Sequence, residues 1–279
     1  IAVDLKGFTT NNRSSIFSNR IAPIQVNYLG YPGTTAIQNM DYIIADELII
    51  PKKNFGYFSE KVIHLPNCYQ PNMHKRDISN KKFTRNEFGL PENGFVYCSF
   101  NNNNKITPDI FDTWMNILKE VKDSVLWILR SNEAVVKNLK KEAEKKGVNS
   151  NRIIFANYLP NSEHLKRLSL ANLFLDTFPC NAHTSASDAI RMGLPLITLT
   201  GNSFASRVAA SLLKNLEMEE LITFSLKDYE KLAIDLGLNL NKFQQIKNSY
   251  EKAVSKSLLF DSKKFTLNLE KLYLKLLDN

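Results

Sequence analysis

The sequence predicts an α/β protein made of two Rossmann-like units in tandem with parallel sheets, the first incomplete and the second whole. Three observations carry this prediction. Short apolar runs recur with helical or looped connections between them, the pattern of a parallel layer. A polar, irregular stretch, residues 67–80, interrupts that pattern and has neither the helical nor the strand period. Beyond it, strand-like and helix-like segments alternate clearly over residues 95–199.

The elements follow in order. Residues 1–5 alternate like a strand and stop at Lys6-Gly7-Phe8-Thr9. Ser14-Ser15-Ile16-Phe17 opens a short helix, capped by a serine or by Asn12. Residues 24–29 form a second strand, running into the loop Gly30-Tyr31-Pro32-Gly33-Thr34. Residues 42–46 form a third strand, and residues 62–65 a fourth that Pro66 stops. After the irregular stretch, residues 83–90 make a helical turn ended by Gly89. Strands are expected at 95–100, 125–130, 152–155, 173–175 and 194–199. The helix at 109–121 is read from Ile110, Phe111, Trp114, Ile117, Leu118 and Val121, which share one face. Further helices are expected at 133–146, 161–169, from Thr184 to the stop at Gly193, and at 203–213. The remainder reads as helical, at 228–236, 240–255 and 264–277. The predicted division is a first unit at 1–66, a linker at 67–82, a second unit at 83–262, and a terminal helix at 263–279 that packs back on the first.

Composition narrows the function. Of 279 residues, 43% are hydrophobic and 23% charged, ordinary for a globular protein. The net charge of +8 comes from lysines spread along the chain. Their densest cluster, residues 137–146, alternates with Glu and Leu as a solvated helix face does. With no arginine-rich arm and no zinc-finger spacing, no nucleic-acid partner is expected. Cys68, Cys98 and Cys180 are odd in number and far apart, which points to a reducing compartment, and a cytoplasmic location is expected. No run of about 18 apolar residues exists, so no membrane span is expected. No pair of cysteines or histidines has metal-ligand spacing. Residues 1–5 read as a strand already under way, without a Met or signal peptide, so the chain is expected to be a unit cut from something longer.

Ligands of parallel α/β sheets bind beyond the carboxyl ends of the strands. Four successive loops there carry groups compatible with phosphate, base or ribose. After Phe100 comes Asn101-Asn102-Asn103-Asn104-Lys105, a tight turn with a lysine able to sit over a phosphate. After Phe155, the loop to Asn161 can offer backbone amides to a base edge, with His164 in the following helix able to stack on it. After Leu175 comes Cys180-Asn181-Ala182-His183-Thr184-Ser185-Ala186-Ser187-Asp188. There two hydroxyls lead a helix whose free N–H groups attract anions, and a carboxylate lies about a turn further in. After Leu199 comes Thr200-Gly201-Asn202-Ser203, a small-residue turn into a helix. Simple helix capping is the alternative at the last two loops, and a surface side chain the alternative for Lys105 and His164. No G-x-G-x-x-G follows a strand and no G-x-x-x-x-G-K-[ST] exists, which argues against a dinucleotide and against a P-loop. A two-lobed protein that grips a diphosphate without those motifs points to sugar-nucleotide transferases.

Several stretches resemble one family, in order along nearly the whole chain: Leu29-Gly30-Tyr31-Pro32-Gly33-Thr34, Met40-Asp41-Tyr42-Ile43-Ile44-Ala45-Asp46, Leu126-Trp127-Ile128-Leu129-Arg130, Arg152-Ile153-Ile154-Phe155, Leu175-Asp176-Thr177, Cys180-Asn181-Ala182-His183-Thr184, and Ala205-Ser206-Arg207-Val208-Ala209-Ala210-Ser211. The family is that of the protein O-linked N-acetylglucosamine transferases, glycosyltransferase family 41, in its bacterial form. The resemblance implies a GT-B fold with a truncated first domain. It implies inverting, metal-independent transfer of GlcNAc from UDP-GlcNAc to Ser or Thr hydroxyls of proteins, with no cofactor. It further implies that Lys105 neutralises the departing diphosphate, that His183, Thr184 and Ser185 hold the β-phosphate, and that Asp188 binds the ribose. His164 stacks on uracil with Arg167 nearby, Asn102 faces the diphosphate where the family often has Gln, and Leu29, Gly30 and Pro32 border the sugar. Ser185 stands where the family often has Thr, and Asn161 where it can have Lys. The family's candidate general-base histidines precede Ile1, as do the tetratricopeptide (TPR) repeats that select acceptor proteins, and this chain alone is expected to be inactive. The large insert of animal members between the domains is absent. Two other readings stay open: a relative using another nucleotide sugar or an Asn acceptor, and a nucleotide-binding module without turnover.

Overall fold

The structure is a computed structural model that describes residues 1–278. Its first sheet has four parallel strands in sequential order: β1 (Ala2–Asp4), β2 (Gln25–Asn27), β3 (Tyr42–Ala45) and β4 (Lys61–His64). Its crossovers hold only short 3-10 helices, Ser14–Ser18 and Lys52–Tyr57. Buried polar side chains tie these irregular loops down. Asp4 accepts from the Lys6 and Gly7 amides, both at 2.9 Å, and the fully buried Gln25 donates to the Phe17 and Asn39 carbonyls. A loop without its own ladder has to satisfy its backbone in this way.

The second sheet has six parallel strands. In chain order the elements are β5 (Phe95–Ser99), α1 (Pro108–Glu120), β6 (Ser124–Leu129), α2 (Glu133–Lys145), β7 (Ile153–Ala156), α3 (Asn161–Arg167), β8 (Leu173–Leu175), α4 (Thr184–Arg191), β9 (Leu196–Leu199), α5 (Val208–Lys214) and β10 (Ile222–Thr223). Three helices follow, α6 (Leu226–Leu238), α7 (Leu240–Lys256) and α8 (Ser262–Leu277). β5 and β6 are buried along nearly their whole length, which is why their apolar runs do not alternate. In α2 only Ala143 is buried, as its lysine-rich composition requires.

Spatial order is β10-β9-β8-β5-β6-β7. The chain leaves β5 toward β6 and β7, then returns to the other side of β5 with β8. The topological switch therefore lies between β5 and β8, and the crevice opens beyond Ser99 and Leu175. Sequence reading missed β10, because a two-residue strand carries no period.

The stretch 67–82 has no regular element, yet its first half is not a free tether. Cys68, Tyr69, Gln70 and Asn72 are buried, and the Tyr69 amide donates to Asp46 Oδ2 at 2.9 Å. α8 returns to this region: Lys264, Phe265 and Asn268 share a small cavity with Leu65, Pro66 and Cys68. One continuous apolar core joins both sheets, and no described helix is long and apolar enough to cross a membrane.

Candidate active site

The crevice is built on Asp176, at the end of β8. Its buried carboxylate accepts from the Thr177 amide at 2.8 Å, the Ala182 amide at 2.6 Å and Thr198 Oγ1 at 2.7 Å. These bonds fold residues 177–182 into a fixed loop. Asn181 extends the scaffold, its amide group donating to the carbonyls of Thr177 and Leu199. The loop delivers the chain to α4, whose N-cap is His183 and which has no side-chain cap. The capping reading of Thr184 and Ser185 therefore fails. Thr184 is exposed, and neither hydroxyl makes a hydrogen bond among the described residues.

From across the switch point, the Asn103–Lys105 turn brings Lys105 to the same spot. Its Nζ donates to the Asn181 carbonyl at 2.8 Å, two residues before His183. The turn is held by Asn103 Nδ2 on the Leu129 carbonyl at 3.0 Å. Asn102 caps the turn, its exposed side chain accepting from the Asn104 amide. Lys105 thus reaches the entrance to α4, near enough to His183 for its charge to act on that ring.

The likeness to known proteins is extensive. The chain matches the sequence model of glycosyl transferase family 41 over residues 1–82 and 73–269. The chain belongs to family 41. The two matched stretches meet within the 67–82 connector. It is 39% identical over 282 residues to a protein of Arabidopsis thaliana named probable UDP-N-acetylglucosamine–peptide N-acetylglucosaminyltransferase SEC, covering 99% of this chain and 29% of that one. It is 32% identical to a protein of Solanum lycopersicum named probable UDP-N-acetylglucosamine–peptide N-acetylglucosaminyltransferase SPINDLY, covering 98% of this chain and 29% of that one. In structure it resembles a mutant O-GlcNAc transferase of Thermobaculum terrenum, with a TM-score of 0.84 and 25% identity, covering 97% of this chain and 51% of that one. This family-41 chain thus spans less than a third of the plant relatives. Its two parallel sheets have the GT-B architecture.

The remaining residues singled out in the family-41 sequence fall into three places. On the α3 side, His164 Nδ1 accepts from Arg167 Nε at 3.0 Å and Nη2 at 2.8 Å. Arg167 is buried to 1% exposure, donates to the Asn157 carbonyl, and lies against the Phe100 and Trp127 rings. It therefore orients His164 from below. On the α4 side, His183, Thr184 and Asp188 line a cleft of about 480 Å³ together with Leu29 and Gly30 of the first sheet. Pro32 does not join them. It lines a neighbouring cavity with Asn54, Tyr57 and Asn202, because the 30–34 loop turns away after Gly30. A Cβ on Gly30 would lie 2.2 Å from the Leu5 carbonyl oxygen, and Leu29 itself is left-handed at φ 75°. The loop after β9 is also spoken for: Ser203 and Ser206 form a reciprocal capping box, so capping holds there.

The charges of this family-41 crevice are set by burial. Burial, with Lys105 alongside, pushes the His183 imidazole down to about 4; burial, with Arg167 and Arg76 nearby, does the same for His164. Both rings are neutral at pH 7. Burial lowers Arg167 to about 10, and raises Asp176 to about 7 against the bonds from Thr198, Ala182 and Thr177. Burial also raises Asp188, opposed by Arg76 and Arg191. His183 Nε2 and Asn181 Oδ1 are buried without partners among the described residues.

A pH dependence of stability follows. Below about pH 6.5 the unfolded chain takes up protons at His164 and His183 that the folded crevice refuses until about pH 4. Their stabilising contribution is therefore full above 6.5 and lost as pH falls through about 4. Asp176 works oppositely: its contribution is full below the ordinary carboxylate value and lost as pH rises through about 7. His183→Asn is expected to flatten the melting-temperature profile between pH 6.5 and 4.5 by about 5 °C, read by thermal denaturation across that range. An unchanged profile would show that His183 protonates freely in the fold.

Sequence reading missed two residues of the crevice. Asp176 is legible as a polar residue ending an apolar run and as part of one resembling stretch, neither of which gives it a role. Arg76 sits in the irregular connector, where no period or motif marks it.

Proposed function

We propose that the chain is the donor-binding part of a transferase that moves GlcNAc from UDP-GlcNAc to Ser or Thr hydroxyls of proteins, inverting the sugar carbon and using neither a metal ion nor another cofactor. One observation carries this reading: Lys105 Nζ is anchored on the Asn181 carbonyl at the entrance to α4, the helix whose first turn carries the uncommitted hydroxyls of Thr184 and Ser185. As the bond from the sugar to the β-phosphate breaks, negative charge grows on the diphosphate. The lysine, the two hydroxyls and the positive end of α4 meet it without rearrangement. His183 Nε2 offers a further polar contact to the β-phosphate. His164, held neutral and oriented by Arg167, presents its ring to uracil. Asp188 accepts from the ribose hydroxyls, and Leu29 and Gly30 close the sugar side. Asn102 reaches the diphosphate only by giving up its capping bond.

The acceptor must lose a proton. His64 Nε2 is engaged with the Ile50 carbonyl and His74 Nδ1 with the Phe260 carbonyl, so neither serves. The base is assigned to the remainder of a full-length protein, as are TPR repeats selecting the acceptor in the cytoplasm. The chain by itself then binds UDP without transferring sugar. Calorimetric titration tests this. UDP is expected to bind at least about tenfold tighter than GDP, about 1.4 kcal/mol. Equal affinities, or no binding, would remove the uridine-diphosphate reading.

A further inference from the structure

Asp188 is held from outside its own domain. Its Oδ1 pairs with Arg76 Nη1, while Nη2 of the same guanidinium donates to Asn161 Oδ1 at the first turn of α3. Arg76 thus bridges α3, which carries the base-side His164, and α4, which carries the phosphate-side His183. A ribose joining a base to a diphosphate has to lie across that same gap. Asp188 Oδ2 accepts no hydrogen bond among the described residues, although the side chain is only 9% exposed.

Arg76 does not hang free. On one side of it, Ser187 Oγ bonds Asn72 Oδ1, and Arg191 donates to the Met73 and His74 carbonyls while stacking 4.2 Å from the Phe260 ring centre. On the other side, the Ser79 amide donates to the Ser162 carbonyl at 3.1 Å and Lys81 pairs with Glu163 at 2.5 Å. The connector is therefore laced to α4 before Arg76 and to α3 after it. The planar guanidinium presents its two donors at a fixed spacing and angle, whereas a lysine ammonium is a single point with freely turning donors and sets neither oxygen's direction.

We propose that Arg76 is a positioning residue of the donor site: it clamps α3 to α4 and fixes the Asp188 carboxylate with one oxygen presented to the ribose hydroxyls of a nucleoside diphosphate. This rests on the reading of the crevice as a UDP-sugar site. A buried carboxylate without its cation would turn or take up a proton, and either change would spoil it as an acceptor for a diol.

Calorimetry with UDP and with 2′,3′-dideoxy-UDP, on the wild-type chain and on Arg76→Ala, Arg76→Lys and Asp188→Asn, tests the proposal. Arg76→Ala is expected to weaken UDP by about tenfold or more and dideoxy-UDP by several-fold less, the loss of the α3–α4 tie acting on both ligands and the loss of the ribose acceptor on UDP alone. Arg76→Lys is expected to recover less than half of that loss on a logarithmic scale. Added to Asp188→Asn, Arg76→Ala should cost nothing further. Should Arg76→Ala lower the melting temperature sharply, Arg76→Gln, which keeps the stem, replaces it under the same expectations. Three results overturn the proposal. UDP binding unchanged or tighter would make Arg76 a plug in the ribose space. Equal weakening of both ligands would make it a general contributor of charge. Full recovery by lysine would remove the clamp. If the wild-type chain binds neither ligand, the UDP-sugar reading itself fails and this proposal falls with it.

Discussion

Lys105→Ala is expected to lower sugar transfer by the full-length protein by on the order of 10²- to 10³-fold while leaving the fold in place. The size follows from what the amine faces. The side chain is half-buried and its one hydrogen bond goes to the Asn181 carbonyl, so the resting protein loses a single contact of about 1 kcal/mol. The surrounding loop keeps its other ties: Asn103 to the Leu129 carbonyl, and Thr107 Oγ1 to the Phe178 carbonyl at 3.1 Å. During transfer the expected loss is far larger, because on the proposed mechanism a positive charge is removed from where the diphosphate gains negative charge. The rate constant is expected to fall more than UDP affinity does, since the charge on the β-phosphate grows only as the sugar departs. Steady-state kinetics and UDP titration on the same variant separate the two. A rate within a few-fold of normal would remove Lys105 from the mechanism.

Asp176→Ala is expected to be the most destabilising single change in the crevice, by about 3 to 5 kcal/mol, or about 10 °C in melting temperature. Alanine leaves the Thr177 and Ala182 amides and the Thr198 hydroxyl, all buried under the loop, without their acceptor. The strand end itself survives, because Tyr229 Oη holds the Asp176 main-chain carbonyl at 2.9 Å. The damage concentrates in residues 177–182, so Lys105 loses its anchor and UDP binding should weaken with stability. Thermal denaturation and UDP titration read the two effects. A drop of less than about 1 kcal/mol would show that the loop is held by something other than the carboxylate.

The chain illustrates where sequence reading stops. Ser203 and Lys105 both stand in loops after strands, and sequence treats them alike. In the fold, Ser203 is consumed by a capping box with Ser206, while Lys105 projects across the switch point to Asn181. Leu29, Gly30 and Pro32 are adjacent in sequence, yet a backbone turn forced by the contact of Gly30 with Leu5 sends Pro32 into a different cavity. Arg76 lies in a stretch with no periodicity, and its importance comes from two helices more than 80 positions away. Thr184 and Ser185 were legible as the leading residues of a helix, but their freedom from capping depended on the His183 backbone.

Periodicity, turn residues and the order of small polar loops determined, without coordinates, that this is a parallel α/β protein with a helix starting at Thr184 beyond a strand end. These are local properties: side-chain alternation and backbone propensity act over a few residues. The strand order, which places β8 beside β5 and so brings Lys105 to α4, was decided by packing among segments far apart in the chain. So was the pairing of Arg76 with Asp188. Such contacts depend on which apolar faces bury each other best, a property of the whole core that no short window of sequence contains.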